Sequence, residues 1–355
     1  MPVFNPQVLA GLANEYRTAF NDLKYVEDEL NRRFVASQDA VHALVLSVAS
    51  GEPLLLIGPP GTGKSRMIRA FCGLIGLYNE DNPKEKRDGY FEYLLTPFTE
   101  PGELFGFYDL SRLQSQGLVR DERGMMQQAT VVYLDEVFNG SSAILNSTLT
   151  FINERFFHDR GERKDVALQC LFAATNQVPE SPELRAIFDR FVLRCTVKNV
   201  GQGQQVESRL PEISRLLNAG WVETYGTHAK TRQLTGLLPS MAKFRSAVKQ
   251  LTDNKQLQPV QTPSDEFYRG LTFFVNEARR YGLSQMSNRR LVKMLHIMLI
   301  HAIYRSVCET PVANRIPGSV TLGKAELQLV TRYFLDRYDE ELAQLMEGQA
   351  FHDRT

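Results

Sequence analysis

The sequence has no excess of charge of either sign. Its 355 residues include 41 lysines and arginines and 41 aspartates and glutamates, which gives a formal net charge of zero. A chain without net charge has no global field that would draw it onto nucleic acid or onto an anionic membrane. The balance therefore argues against nucleic acid as a partner. Hydrophobic residues make up 43% of the chain, as in an ordinary globular protein with a sizeable core.

Cysteines are few, and the sequence has no long apolar run. The four cysteines have no CxxC spacing, which indicates neither a zinc site nor a disulfide framework. The first residues lack a basic stretch followed by an apolar one, so no signal peptide is predicted. The longest mostly apolar run, residues 291–304, is interrupted by Lys293, His296 and His301 and is too short to span a bilayer. We therefore expect a cytoplasmic protein without a membrane span.

Strand-like and helical segments alternate over the first 198 residues. An amphipathic helix is predicted from Asn5 to about Arg33, and a second over about residues 37–49. Short and almost continuously apolar segments follow at residues 54–57, 91–95, 131–134, 168–174 and 191–197. Apolar strands separated by helices predict an α/β fold, with a parallel sheet sandwiched by helices.

The pattern becomes helical throughout after the polar segment NVGQGQQ, residues 199–205, which we interpret as a hinge. One apolar stripe at helical spacing contains Leu291, Leu295, Met298 and Ala302. A second stripe, also read as helical, contains Leu327, Val330, Phe334, Tyr338 and Leu342. The sequence thus predicts an α/β domain over residues 1–198 and an all-α domain over residues 199–355.

The segment GPPGTGKS follows the first predicted strand and opens a helix. It fits the pattern of a phosphate-binding loop, in which glycines let backbone N–H groups approach phosphate oxygens closely. Lys64 would reach the β- and γ-phosphates of ATP, and Ser65 would ligate Mg²⁺. The residues predicted to bind the nucleotide here are Gly58, Pro59, Pro60, Gly61, Thr62, Gly63, Lys64, Ser65 and Arg66.

Two further strand ends carry polar residues suited to ATP hydrolysis. The segment VVYLDEV places Asp135 at the end of a strand, where it can hold Mg²⁺ through water, and Glu136 beside it can polarise the attacking water. The segment LFAATN places Asn176 at the tip of another strand. A neutral amide there can orient water against the γ-phosphate, although a turn-forming role explains Asn176 equally well.

Taken together and in this order, these segments resemble the AAA+ ATPases, a group of P-loop NTPases. Within them they resemble the MoxR family, and most closely its RavA branch. The resemblance covers about residues 34–347 and rests on GPPGTGKS, FEYLLTPFTEPGELFG, VVYLDEV, AILNSTLTFINERFF, LFAATNQVPE and FDRFVLR. It implies a sheet with the phosphate-loop strand in the centre, a C-terminal helical lid and a ring of six subunits.

The resemblance also implies roles for single residues. Lys64 and Ser65 match the Walker A motif, Asp135 and Glu136 match Walker B, and Asn176 matches sensor 1.

Three other roles are assigned by resemblance with alternatives open. Arg190 matches the arginine finger that enters the neighbouring subunit's site, with Arg194 as the alternative. Arg289 matches sensor 2, with Arg290 as the alternative. Val35 lies where the family contacts adenine, although a core role is equally open.

Two polar insertions depart from a minimal ATPase core. GFYDLSRLQSQGLVRDERGMM resembles the helix insertion of MoxR proteins, and FFHDRGERKDV resembles the hairpin before sensor 1. Ordinary solvated hairpins explain both as well. If the insertions are functional, we expect them to contact the substrate or partner rather than the nucleotide. RavA-type proteins carry further domains after the lid, and we expect any docking role of those domains to be absent here.

The resemblance implies a chaperone-like ATPase that remodels or activates a protein partner, with a von Willebrand factor A domain protein as its co-worker. The alternative is an AAA+ motor in nucleic-acid remodelling, restriction or phage defence. That alternative is disfavoured by the zero net charge and by the lack of a recognisable DNA-binding module.

Overall fold

The structure, a computed structural model, describes residues 2–82, 85, 88–109, 111, 115, 119–141, 144–148, 151, 155–159, 162–199, 206–226, 231–260, 266–311 and 314–352. Its strands are β1 (Leu54–Ile57), β2 (Tyr90–Leu94), β3 (Tyr108–Asp109), β4 (Val119–Arg120), β5 (Val131–Asp135), β6 (Phe156–Asp159), β7 (Glu162–Asp165), β8 (Cys170–Thr175) and β9 (Leu193–Thr196). Its α-helices are Pro6–Glu15, Arg17–Arg33, Gln38–Ser50, Lys64–Leu74, Pro101–Phe105, Pro182–Phe188, Val206–Tyr225, Leu237–Asp253, Glu266–Arg280, Asn288–Glu309, Lys324–Leu327, Leu329–Tyr333 and Glu340–His352.

The main sheet has five parallel strands in the order β2-β5-β8-β1-β9. Every residue of β1 and β8 is buried, because helices cover both faces of the sheet, and this explains the continuously apolar strand segments. The predicted α/β class, with a helical C-terminal region, is confirmed. The phosphate-loop strand β1 lies between β8 and β9, one position away from the centre of the sheet, where the resemblance implied it. Since all five strands are parallel, their carboxyl ends lie at one edge of the sheet, and the polar residues that follow β1, β5 and β8 meet there.

One predicted N-terminal helix is two helices in the structure. The helix Pro6–Glu15 ends at Tyr16, whose backbone N–H donates to Leu12 O, and a new helix begins at Arg17. The Tyr16 ring lies edge-on against Phe244, with ring centroids 5.4 Å apart. The break between the two helices falls at Tyr16, whose ring packs against a helix far along the sequence.

The predicted C-terminal stripe from Leu327 to Leu342 is not one helix. Two short helices and the start of the helix Glu340–His352 take its place, and Tyr338 lies in the irregular segment before that last helix. The backbone N–H groups of Asp336 and Arg337 both donate to Leu283 O, at 2.9 and 3.0 Å. These two backbone hydrogen bonds hold the segment outside a helix, although its sequence has helical periodicity.

The N-terminal and C-terminal helices share one core. The helix Asn288–Glu309 packs against the helices Pro6–Glu15, Arg17–Arg33 and Gln38–Ser50, and a single cluster of buried side chains runs through all of them. By length and composition alone this 22-residue helix could cross a bilayer, but 56% of its most apolar window is buried inside the protein. The proposed hinge lies outside the described residues apart from Asn199, so the 198/199 boundary stays a prediction.

Two buried carboxylates tie these helices together. Glu27 accepts hydrogen bonds from Tyr304 and His42, at 2.6 and 2.7 Å, and Glu326 lies 2.8 Å from His301 Nδ1. Burial alone would raise the pKa of Glu27, but the hydrogen bonds from His42 and Tyr304 and the charge of Lys24 outweigh it and lower the pKa to about 2. Burial lowers the pKa of His301, although Glu326 opposes this.

Acidification is expected to destabilise the fold through these groups. The pKa of Glu27 in the folded protein lies below its value in the unfolded chain. The contribution of the Glu27 carboxylate to the free energy of unfolding is therefore complete above pH 4.5 and is lost as the pH falls towards 2. For this shift the contribution is about 3 kcal/mol. The lowered pKa of His301 adds a loss of stability that begins as the pH falls below about 6.5.

The free energy of unfolding in urea at pH 7, 5 and 3 checks this expectation. Glu27→Gln should be less stable than the native protein at pH 7 and should lose less free energy between pH 5 and 3. Equal losses for the two proteins over that interval would show that Glu27 is not the responsible group.

Candidate nucleotide-binding site

The loop between β1 and the helix Lys64–Leu74 depends on its glycines. A Cβ atom on Gly58 would lie 2.1 Å from Val197 O, because the end of β9 passes directly beside the loop. Gly61 and Gly63 both have φ of +83°, a conformation that favours glycine. The backbone N–H groups of the loop can therefore turn inward beside the N-terminus of the helix. This arrangement of N–H groups is the one that binds phosphate.

Lys64 is the cation of this loop. It is only 6% exposed, and its ammonium donates to Gly58 O at 2.6 Å, to Pro59 O at 2.9 Å and to Thr62 Oγ1 at 3.4 Å. Burial lowers the pKa of Lys64, while the charges of Asp135 and Glu136 oppose the shift. The side chain is thus held inside the loop, among its carbonyl oxygens.

Ser65 joins the loop to the end of β5. Its hydroxyl donates to Asp135 Oδ2 at 3.0 Å and lies 3.1 Å from Tyr133 OH. A hydroxyl and a carboxylate placed side by side are the oxygen donors that Mg²⁺ prefers in proteins. The residues present therefore fit a magnesium ion held by Ser65 and Asp135, as the sequence predicts.

Glu136 follows in a left-handed backbone conformation, with φ and ψ both 49°. Such a conformation is uncommon for a residue with a side chain and is found more often at functional sites. Its own N–H donates to Asp135 Oδ1 at 3.0 Å. Burial and the charge of Asp135 raise the pKa of Glu136, while Lys64 and a hydrogen bond from the backbone N–H of Asn176 oppose the shift.

Asn176 lies at the end of β8, as predicted, and its side chain is exposed. The structure adds a contact that sequence reasoning missed, since it is the backbone N–H of Asn176 that bonds to the Glu136 carboxylate. The ends of β1, β5 and β8 therefore bring together Lys64, Ser65, Asp135, Glu136 and Asn176. The role of the Asn176 side chain in orienting water stays a prediction.

Arg190 lies in the turn that follows the helix Pro182–Phe188 and is half-buried. The neighbouring Asp189 accepts a hydrogen bond from Ser287 at 3.0 Å. The alternative finger, Arg194, is 3% exposed and is ion-paired with Asp336. Its burial argues against Arg194 as the arginine that reaches a neighbouring subunit, and Arg190 remains the candidate.

The two candidate sensor 2 residues have different environments. Arg289 is exposed at the start of the helix Asn288–Glu309. Arg290 is 1% exposed, and its guanidinium donates to Asp336 Oδ1 and to Phe334 O, each at 2.5 Å. Arg290 is therefore a structural residue of the interior, which leaves Arg289 as the candidate.

A polar pocket of about 390 Å³ has in its lining Val197, the residue that lies against Gly58 of the phosphate loop. Its lining comes from the start of the helix Gln38–Ser50, the end of β9 and the C-terminal helices: Ala36, Ser37, Gln38, Asp39, Ala40, Cys195, Thr196, Val197, Lys198, Arg332, Tyr338 and Glu340. Val35 is half-buried and directly precedes this lining. Helical periodicity places Tyr338 in an apolar stripe, whereas in the structure its side chain is 40% exposed at the pocket.

The two insertions form antiparallel hairpins, β3–β4 and β6–β7, that contact each other. Asp159 is 2% exposed and lies 3.5 Å from Arg120 Nε, and Lys164 donates to Glu122 at 2.8 Å. Most of residues 110–118, including Arg112, lies outside the described residues, as does Arg160. The described parts of the hairpins are held together by charged contacts.

The sheet order, the phosphate loop and the acidic pair at the end of β5 define a P-loop protein of the AAA+ type. Residues 21–242 match a family model described as the MoxR domain in the MoxR-vWA-beta-propeller ternary systems. The chain belongs to the MoxR family of AAA+ ATPases.

Individual relatives match the chain over about half of its length. The chain is 35% identical over 179 residues to two uncharacterised proteins of Methanocaldococcus jannaschii, MJ0079 and MJ0812, which covers 50% of this chain and 44% and 45% of theirs. It is 29% identical over 195 residues to structural protein ORF618 of Acidianus two-tailed virus, covering 54% of this chain and 29% of that protein. The chain thus spans less than half the length of these curated relatives.

A solved structure supports the fold. A protein from Cytophaga hutchinsonii that has been assigned as an ATPase superimposes with a TM-score of 0.60 and covers 97% of each chain at 16% identity. At this identity the similarity shows the fold alone.

Proposed function

We propose that this protein binds ATP with Mg²⁺ and hydrolyses it. The observation that carries the proposal is the contact chain from Ser65 through Asp135 and Glu136 to Asn176. In it the predicted metal ligands Ser65 and Asp135 are hydrogen-bonded to each other, and the carboxylate of Glu136, predicted to polarise water, accepts from the backbone N–H of Asn176. The residues of GPPGTGKS and Arg66 would hold the phosphates, and the pocket that begins at Ala36, next to Val35, would take the base.

Each residue of the site has a separate task in this reaction. Lys64 neutralises charge on the phosphates, and Ser65 and Asp135 hold the metal ion. Magnesium, when bound, supplies positive charge against the phosphate oxygens. The carboxylate of Glu136 orients the attacking water and accepts its proton, and the raised pKa of Glu136 makes it a better base than an exposed glutamate. Asn176 orients the same water.

We further propose that the site is completed by a second copy of the chain in a ring, with six subunits. Arg190 of one subunit would face the γ-phosphate in its neighbour, where a planar and permanently charged guanidinium stabilises charge on the transferred group. Arg289 would contact the phosphate within its own subunit. The position of Arg190 in a turn and the exposure of Arg289 support these roles.

The ATPase cycle is proposed to remodel or activate a protein partner together with a von Willebrand factor A domain protein. The description of the matching family model, which names such a ternary system, supports this partner. The hairpin pair offers mixed charges, among them Arg123 and Asp121, that suit steering and specificity. Assignment to the RavA branch rests on the motif resemblance alone and is part of this proposal.

Affinity capture from the native cell tests the partner. Glu136→Gln should hold the ATP-bound assembly and retain a von Willebrand factor A domain protein in stoichiometric amount, whereas Lys64→Ala, the matched control, should retain much less. Recovery of DNA or RNA without such a protein would contradict the proposal and favour the nucleic-acid motor. Recovery of equal amounts of the partner by both variants would show that binding of the partner does not depend on ATP.

A further inference from the structure

Arg155 and Arg245 bridge the same two segments of the chain. One segment is the end of the helix Gln38–Ser50, where Arg245 donates to Val48 O at 2.7 Å and Arg155 donates to the carbonyl of Gly51. The other segment is the pair of residues just before β8, whose oxygens accept from Arg155 at 3.1 Å and from Arg245 at 3.3 Å. The two guanidinium groups are therefore neighbours, and we call them the arginine pair.

The arginine pair lies at the edge of the sheet opposite to the phosphate loop. Gly51 precedes β1 and Gln169 precedes β8, so the guanidinium groups lie at the amino ends of parallel strands. The phosphate loop and the acidic pair follow the carboxyl ends of β1 and β5. The arginine pair is thus separate from the candidate nucleotide site.

The arginine pair has no carboxylate of its own. Among the residues that the structure describes, no Asp or Glu oxygen lies within 4 Å of either guanidinium group. Glu52 is the carboxylate whose charge acts on Arg155, but it is already paired with Lys293 at 2.5 Å. The end of the adjacent helix supplies only about half a negative charge. More than one positive charge therefore stays uncompensated.

Two like charges without a counter-ion are unfavourable where water is partly excluded. Both arginines are half-buried. Burial lowers the pKa of each, and the charge of Arg245 lowers the pKa of Arg155 further, while Glu52 opposes that shift. Arginine keeps its charge at neutral pH nevertheless. Binding of an anion between the two guanidinium groups would remove this repulsion.

The arginine pair also has hydrogen-bond donors to offer. A guanidinium has five N–H groups, and the contacts within the described residues use two on each arginine. Gly51 leaves room between the two side chains, because a Cβ atom there would lie 3.0 Å from Arg245 Cδ. Arg155 has φ of +55°, an unfavourable conformation for a residue with a side chain, and such conformations are more frequent at functional sites.

We propose that Arg155 and Arg245 form a second anion site, which binds a small phosphate-bearing anion. A phosphate group carries about 1.5 to 2 negative charges at pH 7, which matches the uncompensated charge, and its oxygens suit the planar guanidinium fork. A single carboxylate would leave part of the positive charge uncompensated. Because Arg245 belongs to the helix Leu237–Asp253 and Arg155 to the α/β part, the bound anion would fasten that helix to the sheet.

Titration with inorganic phosphate tests the site. Because the phosphate loop can bind the same anion, the titration is made in Lys64→Ala, which disables the loop. At about 100 times its Kd, phosphate should raise the melting temperature of this variant by about 3 °C. Sodium chloride of the same ionic strength should not. If phosphate fails to stabilise Lys64→Ala, whatever it does to the native protein, the inference is overturned.

Arg245→Gln, added to Lys64→Ala, should weaken phosphate binding at least about tenfold in calorimetry. Lys243→Gln is the matched control, because it removes an exposed positive charge from the same helix, and it should change the Kd less than about twofold. Equal Kd values for the two variants would show attraction by general charge and would overturn the site.

Arg245→Lys keeps the charge but not the planar fork, so it should weaken phosphate binding about threefold. This variant decides the question if Arg245→Gln does not fold. An unchanged Kd in Arg245→Lys would contradict a site built on the guanidinium group.

Two further titrations of Lys64→Ala define the ligand. Sodium glutamate, which offers a carboxylate at the same ionic strength, should stabilise the protein much less than phosphate does. An equal effect would overturn the choice of phosphate. A peptide with one phosphoserine should bind more weakly than inorganic phosphate, because the arginines are half-buried. Tighter binding of the peptide would overturn the assignment to a small anion and favour a phosphorylated partner.

Discussion

Replacing Glu136 by glutamine should leave ATP bound and slow hydrolysis by at least about 100-fold, the lower range of a general-base contribution. Glutamine keeps the size of the side chain and can still accept the hydrogen bond from the Asn176 backbone N–H. It cannot accept a proton from water. The chemical step should therefore fail while binding persists.

Lys64→Ala should fail at the earlier step of binding. The ammonium of Lys64 is the cation that the loop encloses, and losing charge-assisted hydrogen bonds to phosphate should weaken ATP binding by about 100-fold, or about 3 kcal/mol. Calorimetric ATP affinity and the rate of phosphate release are measured for both variants. Hydrolysis by Glu136→Gln at the native rate would show that another group activates the water.

Arg190→Ala should bind ATP with near-native affinity and hydrolyse it about 1,000-fold more slowly, as expected when a finger that contacts only the transferred group is lost. Arg185→Ala is the matched control, because Arg185 is an exposed arginine in the last turn of the preceding helix. Its loss should change neither quantity. Loss of assembly by Arg190→Ala, seen by light scattering, would assign that residue a structural role instead.

The sheet could be predicted because its strands are buried on both faces. The residues of β1 and β8 are apolar and bounded by turn-forming residues, so the sequence placed these strands within about two residues of their observed limits. The phosphate loop could be predicted because the chemistry of phosphate binding requires glycines, lysine and serine at fixed spacing. The strands and the phosphate loop could both be predicted because each depends on residues that are close together in the sequence.

Features that depend on distant residues could not be predicted in this way. Arg194 and Arg290 were each an alternative to a neighbouring candidate residue, because nothing local in the sequence marks an arginine as buried. Their burial depends on Asp336, which is 142 residues beyond Arg194. Near Tyr338 the chain is held out of a helix by backbone hydrogen bonds from Asp336 and Arg337 to the distant Leu283 O. For this reason the helical periodicity places an aromatic residue of the pocket in an apolar stripe.

The measurement that tests the shared site most directly is the ATPase activity of mixed Arg190→Ala and Glu136→Gln subunits. Each variant alone should be nearly inactive. In a mixed assembly some interfaces place an intact Arg190 against an intact Glu136, so activity should rise to a substantial fraction of the native value at equal amounts of the two. Activity no greater than the sum of the separate variants, with co-assembly confirmed, would contradict a site built from two subunits.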